Sequence, residues 1–299
     1  MIPFRRELSF EYGVPHDVTP LVRRVVANNP GPFTFTGTGT YIVGRGEVAV
    51  IDAGPDLPGH LDAVLAAVAG ERVTHVLATH THADHSPLSN PLAKATGAIV
   101  AGVPSPGGAG DFEEAEDRAF RPDVVLKDGD RISGPGWTLE AMTTPGHASN
   151  HVCFALLEEN LLFTGDHIMG WSTTVVGPPD GNMTDYYASL DKVQARGFSK
   201  LVPCHGPPVN EVDPFIDAYR AHRHARERQI EAQLAEGRTR IREMVPVMYA
   251  AVDSRLHPAA AHSVLAHLIH MIGDGRVVSD GVPGLGSEFR LASASGTPS

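Results

Sequence analysis

Four side chains able to bind a metal ion stand within six positions at His80-Thr81-His82-Ala83-Asp84-His85. In an extended segment side-chain direction repeats every two residues, so His80 and His82 project to one side. Asp84 and His85 follow, where the chain can turn back toward a second ion. Neutral imidazole with carboxylate is a donor set that zinc prefers; imidazole also suits iron, and carboxylates suit manganese. One histidine alone is ordinary, but this density directly after an apolar run is a ligand pattern. Six residues cannot complete two coordination shells, so further donors must come from elsewhere. Three candidates share one context, an apolar strand ending in a short glycine-containing turn. They are His147 in Thr144-Pro145-Gly146-His147, Asp166 in Phe163-Thr164-Gly165-Asp166, and His205 in Val202-Pro203-Cys204-His205-Gly206. Glycine there would let the backbone come close to a metal.

The elements that must position these donors are legible as an alternation of strands and helices. Residues 73–79 read as a buried strand whose C-terminal end delivers the histidine run. Strands are also expected at 40–43 and 48–51, joined by the turn Gly44-Arg45-Gly46, and at 99–102, 124–126, 137–142, 152–157 and 161–164. Residues 60–69 carry Leu61, Val64, Leu65 and Val68 at helical spacing, and 185–195 and 214–234 read as helices. Strand-end loops are where binding and catalytic residues concentrate. Residues 103–110 (VPSPGGAG), with 111–117 after them, read as a mobile loop. Near Gly237 the strand pattern stops. Thr239 is the expected N-cap of a helix at 240–252, a second helix covers 258–272 and ends at Gly273, and 277–279 can pair with 289–291. Two helices followed by such a hairpin suggest a winged-helix type module. The expected division is 1–236, 237–292, and a disordered tail at 293–299.

Composition bounds the compartment and the partners. The net charge is −11, yet residues 214–299 hold 10 Lys+Arg against 9 Asp+Glu, leaving 14 against 26 in the first 213 residues. A nucleic-acid binder is usually basic, although bound dications would cancel part of this acidity. Cys153 and Cys204 are the only cysteines and lack paired redox or metal spacing, so buried free thiols in a reducing compartment are expected. Neither a signal-peptide core nor a long apolar span is present, which predicts a cytoplasmic protein without membrane contact.

With these motifs in hand, the chain resembles the metallo-β-lactamase fold superfamily over roughly residues 20–210, through its HxHxDH motif and the later histidine, aspartate and histidine. The resemblance implies a four-layer αββα sandwich with two metals at one edge, zinc first, with manganese or iron as alternatives. It implies that His80, His82 and His147 hold one ion, that Asp84, His85 and His205 hold the other, and that Asp166 bridges them. A hydroxide between two such ions would attack a carbonyl or phosphoryl centre, and Asp84 would orient it as the catalytic carboxylate. Asp52 resembles the family's carboxylate that fixes a ligand histidine's tautomer, or else simply caps a turn. His151 is read either as support for the site or as a surface histidine. His167 should point away, and Cys204 should be a small core residue.

Asp166 and the missing export signal set this chain apart from true β-lactamases and toward acylglutathione thioesterases and RNA-processing nucleases. The segments at 166–176, His205-Gly206-Pro207-Pro208 and Tyr219-x-x-His222-Arg223-x-x-Arg226-Glu227-x-Gln229-Ile230 resemble the beta-lactamase-like endoribonuclease subgroup, which carries a winged-helix-like domain. That resemblance implies single-stranded RNA as substrate. Against it, the helix at 258–272 contains no Lys or Arg, so the small domain would instead pack on the core or form a homo-oligomer interface. Arg220, Arg223, Arg226 and Arg228 either line a phosphate path or form a solvated helix face. The alternatives are a small-molecule thioester or lactone hydrolase, and a non-catalytic regulator with structural metals.

Overall fold

The computed structural model describes residues 2–105, 107 and 116–292. Most of the loop expected at 103–117 and all of the tail at 293–299 lie outside the described residues.

Two sheets form the body. The first contains β1 (His16–Asp17), β2 (Val22–Val26), β3 (Gly39–Arg45), β4 (Glu47–Ile51), β5 (Arg72–Leu77), β6 (Ile99–Gly102) and β7 (Val124–Val125), side by side in that order. The second contains β8 (Arg131–Gly134), β9 (Trp137–Thr143), β10 (Val152–Leu156), β11 (Leu161–Gly165) and β12 (Lys200–Pro203), ordered β12-β11-β10-β9-β8. Alternation along each strand divides the apolar residues between two interfaces. Tyr41, Val43, Ile51, Leu77, Phe154 and Phe163 fill the space between the sheets. The intervening Ile42, Val50 and Val76 face the other way, onto α1 (His60–Ala67) and α2 (Ser89–Thr96). On the far side, Cys153, Ala155, Leu162 and Leu201 meet α3 (Met183–Ala195) and α4 (Val212–Ala235). The result is the expected αββα sandwich, in which each fully buried Leu, Val or Phe contributes about 1.5–3 kcal/mol.

Several elements escaped the sequence pattern for physical reasons. Strand β2 reads Val-Arg-Arg-Val-Val, and its charged pair hides a buried strand. Arg24 is 2% exposed because its guanidinium donates to Gly206 O at 3.0 Å. Helix α2 contains Pro91 and buries only Ser89, Leu92 and Ala93, too narrow a stripe to read as amphipathic. Strands β1 and β8 are short and partly exposed.

The second core belongs to a winged-helix unit of α5 (Ile241–Met248), α6 (His257–Gly273) and the antiparallel hairpin β13 (Val277–Ser279) and β14 (Phe289–Leu291). Ile230 and Leu234, from the end of α4, sit in this core with Met244, Val264, Leu268 and Phe289. Helix α5 departs from expectation at both ends. Its N-cap is Arg240 rather than Thr239, because Glu243 reaches back to accept from Arg240 N–H at 3.1 Å. It stops at Met248, four residues early, where Arg226 Nη1 donates to Met248 O at 3.1 Å and the guanidinium covers the Tyr249 ring. No helix among the described residues is long and apolar enough to cross a membrane.

Where α6 meets α4, His267 is 1% exposed. Burial pushes its imidazole down to about 4 from 6.5, against the partial opposition of Glu227. Between these values the unfolded chain takes up a proton that the native chain does not. This contribution to stability is therefore complete above pH ~6.5 and declines as pH falls toward ~4, by at most about 2 kcal/mol at pH 5. Replacing His267→Gln should flatten the acid side of the thermal midpoint plotted against pH. An unchanged slope would show that His267 does not titrate in this way.

Candidate metal centre

Strand direction brings the donors to one edge. Strands β4 and β5 run parallel, as do β11 and β12. Strand β9 is antiparallel to β10, which is antiparallel to β11, so β9 points the same way as β11. The residues following β5, β9, β11 and β12 are the histidine run, His147, Asp166 and His205. Hydrogen bonds hold the two sheets together at this edge: Val152 N donates to Thr79 O at 2.7 Å and Gly39 N to Cys204 O at 2.9 Å. Tyr41 O–H, in the core between the sheets, donates to Pro203 O at 2.6 Å and fixes the turn that carries His205.

Seven side chains named from the sequence meet there. His82 Nδ1 lies 2.9 Å from His80 Nε2 and 3.1 Å from His147 Nε2. Asp84 Oδ2 lies 3.3 Å from His85 Nε2 and 3.2 Å from His205 Nε2. Asp166 spans the two groups, with Oδ1 3.3 Å from His205 Nε2 and Oδ2 3.8 Å from His147 Nε2. Tetrahedral zinc with Zn–N near 2.05 Å needs nitrogens about 3.3 Å apart, close to these separations. Among the described residues His85 Nε2 and Asp166 Oδ1 are buried with ion-pair neighbours but no hydrogen-bond partner, as atoms that could receive a cation would be. The donor set therefore fits a pair of divalent ions.

The other face of the histidines is tied to protein, which turns a fixed nitrogen inward. His85 Nδ1 pairs with Asp52 Oδ2 at 3.0 Å, His147 Nδ1 with Val175 O at 2.6 Å, and His80 Nδ1 with Thr79 Oγ1 at 3.0 Å. Asp52 does more than cap a turn: its Oδ1 accepts Thr79 N–H at 2.7 Å and its Oδ2 accepts Thr79 Oγ1 at 2.8 Å. Cys204 donates to Asp52 Oδ2 at 2.9 Å. Although Asp52, His85 and Cys204 also cluster closely enough to surround an ion, these bonds already engage Asp52. Burial together with the Asp52 charge also keeps the Cys204 thiol protonated. A cation there would have to displace a formed network.

The electrostatics show what the centre demands. Burial disfavours charge on His80, Asp84, His85, Asp166 and His205, yet mutual attraction wins for the last four. His85 and His205 hold the carboxyls of Asp84 and Asp166 well below the usual range. In turn the carboxylates hold His85 up, and hold His205 at about 10, against its burial. His80 goes the other way, because burial and then the neighbouring His85 charge push it well down. The buried carboxylates thus draw positive charge, from protons or from cations.

The structure places the two neighbouring histidines. His151 is 1% exposed, not a surface residue; its Nε2 accepts from Asp166 N–H at 3.2 Å and its Nδ1 pairs with Thr144 Oγ1 at 2.9 Å. It therefore fixes the backbone that carries Asp166. His167 does turn away from the donors, but into the core against the Tyr186 ring, where burial first and then nearby His147 lower it to about 3. The glycines serve protein contacts rather than approach to an ion. A Cβ on Gly165 (φ +46°) would meet His151 Nε2 at 2.7 Å, and one on Gly146 (φ +141°) the Tyr186 Cα at 2.5 Å. Sequence reasoning also missed Thr38, whose Oγ1 donates to Asp84 Oδ2 at 2.8 Å, and Thr79. Position was the one available signal for Thr79, since it directly precedes His80.

A cleft of about 220 Å³ opens from His147 and Asp166. One wall is the segment Trp171–Val175 and the other comes from Tyr249, Val252, Leu256 and Ala260 of the winged-helix unit, with His222, Arg223 and Arg226 of α4 between. The four arginines of α4 do not form one path. Arg220 pairs with Asp191 and Asp217, Arg228 faces solvent, and only Arg223 and Arg226 reach the cleft.

A sandwich of this topology with this donor cluster at its strand ends defines a metal-dependent hydrolase. The metallo-beta-lactamase superfamily model matches residues 34–205, and the beta-lactamase associated winged helix domain matches residues 241–284. The chain belongs to the metallo-beta-lactamase superfamily. An atrochrysone carboxyl ACP thioesterase of Aspergillus chevalieri is 31% identical over 272 residues, 87% of this chain and 83% of its own. A beta-lactamase-like protein 2 homolog of Caenorhabditis elegans is 33% identical over 219 residues, 72% of this chain and 71% of its own. The crystal structure of a beta-lactamase domain protein from Burkholderia ambifaria superposes with a TM-score of 0.80 over 97% of each chain, at 22% identity, which speaks to the fold alone.

Loss of the Asp52 carboxylate should loosen the centre without removing a donor. Competition against a chromophoric chelator should show metal affinity reduced 10–100-fold in Asp52→Asn. Wild-type affinity in that variant would remove Asp52 from the support of His85.

Proposed function

We propose that this chain hydrolyses a small-molecule acyl thioester or related ester at a dinuclear metal centre, zinc first among the candidates. The observation that carries the reading is the cleft, which joins His147 and Asp166 to an apolar wall of the winged-helix unit. Its volume lies below the ~300–1,000 Å³ of drug-sized pockets, which suits a short acyl group. A thioesterase among the relatives supports the same chemistry. So does α6, which carries no Lys or Arg to follow a phosphate backbone.

In this reading His80, His82 and His147 hold one cation, and Asp84, His85 and His205 hold the other. Asp166 lies between them as the shared carboxylate. When bound, the pair supplies an acidified water and polarises the scissile carbonyl. The side chain of Asp84 is 18% exposed, the accessible carboxylate of the set. Thr38 steadies Asp84 Oδ2 through its hydroxyl, and Asp84 would orient the attacking water by accepting a hydrogen bond from it. The Val175 carbonyl fixes the ring of His147 at the mouth of the cleft, where the acyl group would enter. Val175, Val252 and Leu256 give the cleft its apolar lining.

Single-stranded RNA is the second reading, favoured by the two arginines that face the cleft. Metal analysis of the purified chain should find about two divalent ions. Chelation should abolish hydrolysis of a short acyl thioester and added zinc, manganese or iron should restore it, with labelled RNA left intact. Asp84→Asn should lower kcat by about 10²–10⁴. RNA cleavage without thioester turnover would transfer the assignment to the nuclease reading.

A further inference from the structure

Positive charge on the cleft wall lacks the partners that the same residue type has elsewhere in this fold. Arg223 is 3% exposed. One of its amino groups donates to Thr174 O, and its guanidinium lies 5.0 Å from the Tyr186 ring centroid. Its Nε has no hydrogen-bond partner. One turn along, Arg226 covers the Tyr249 ring at 4.2 Å and bonds Gln229 Oε1 and Met248 O through Nη1 alone. Among the described residues neither guanidinium has a carboxylate partner. By contrast, Arg220 pairs with Asp191 and Asp217, and Arg276 with Glu227, Glu231 and Asp274.

Two more polar groups of the same cleft are buried without partners, His222 Nδ1 and Trp171 Nε1. Burial, then the charges of Arg223 and Arg226, push the His222 imidazole down to about 4, which reports a cationic field at this wall. Asp166 is the one carboxylate lining the cleft, and it faces His85, His147 and His205. A buried guanidinium is costly without a counterion. Among the described residues the wall therefore offers positive charge without a carboxylate partner, together with the unpartnered Arg223 Nε, His222 Nδ1 and Trp171 Nε1.

We propose that this wall is an anion subsite: Arg226, with Arg223, His222 and Trp171, holds a carboxylate or phosphate of the substrate remote from its scissile bond. The inference rests on the thioester reading and narrows it to thioesters that carry an anion. A planar guanidinium matches the two oxygens of either group through paired hydrogen bonds. Val175, Val252 and Leu256, which line the same cleft, would take the neutral part of the chain.

Binding of thioether analogues, which cannot be hydrolysed, tests this on the metal-loaded full chain by calorimetry. Three analogues are needed: a neutral short acyl chain, the same chain ending in a carboxylate, and the neutral chain with a phosphate on the thiol side. One charged analogue should bind 10–100-fold more tightly than the neutral one, and which one does so identifies the source of the anion. Arg226→Gln should erase most of that advantage and Arg226→Lys should retain part of it. Arg228→Gln, exposed on the same helix, should retain it all. Because Arg226 also bonds the end of α5, a purely structural effect would weaken all three analogues together and leave their ratio intact. Equal or absent binding of the three to the wild type, or a full advantage surviving in Arg226→Gln, overturns the subsite. Turnover of a neutral thioester by the same protein would then leave the hydrolase reading standing.

Discussion

Negative charge buried at the edge of a β-sandwich is the constraint around which this molecule is built. Asp52, Asp84 and Asp166 are gathered with five histidines where several strands end. Burial alone would neutralise such carboxyls. Asp84 and Asp166 stay ionised because the imidazoles of His85 and His205 beside them take up protons, and cations can do the same work. Much of the nearby hydrogen bonding serves that balance. Thr79 binds Asp52, Asp52 binds His85, and Thr38 binds Asp84, so His85 and Asp84 are held in place by protein.

The sandwich supplies the rigidity that such aiming requires. Alternate residues of β3 and β10 divide between inner and outer cores, so a shift of one residue in either strand would turn Tyr41 or Phe154 out of the interior. Tyr41 then performs two roles, filling the space between the sheets and anchoring the turn before His205. Packing and chemistry are thus coupled through single side chains.

The winged-helix unit is joined to the sandwich by a shared helix rather than by a flexible linker. Phe215, Ile216 and Tyr219 of α4 lie in the sandwich core, and Ile230 and Leu234 lie in the winged-helix core. Between them come His222, Arg223 and Arg226, which face the cleft. Glu227, 3% exposed, accepts from Tyr187 O–H and pairs with Arg276, linking α3, α4 and the end of α6. The wall opposite the metal centre is therefore held in a fixed relation to it.

The sequence by itself marked the candidate donors, their order and the layer class. Local spacing and strand periodicity carry that information, and a ligand run followed by three glycine-flanked turns is dense enough to read without coordinates. It also separated the C-terminal unit through the change from strand to helix periodicity. Only the tertiary structure decided what surrounds those donors. His151 could be read as a support for the site or as a surface residue at a strand start, and packing places it beneath Asp166. Arg24 and Arg223 carry the most water-loving of side chains, yet they are buried because distant carbonyls, Gly206 O and Thr174 O, receive their protons. The segments at 166–176 and 219–230 are far apart in sequence and became two sides of one cleft. Burial and partnership across such distances are set by how sheets and helices stack, and no local pattern encodes them. The histidine run announced metals from the sequence alone; the chemistry facing those metals came from the fold.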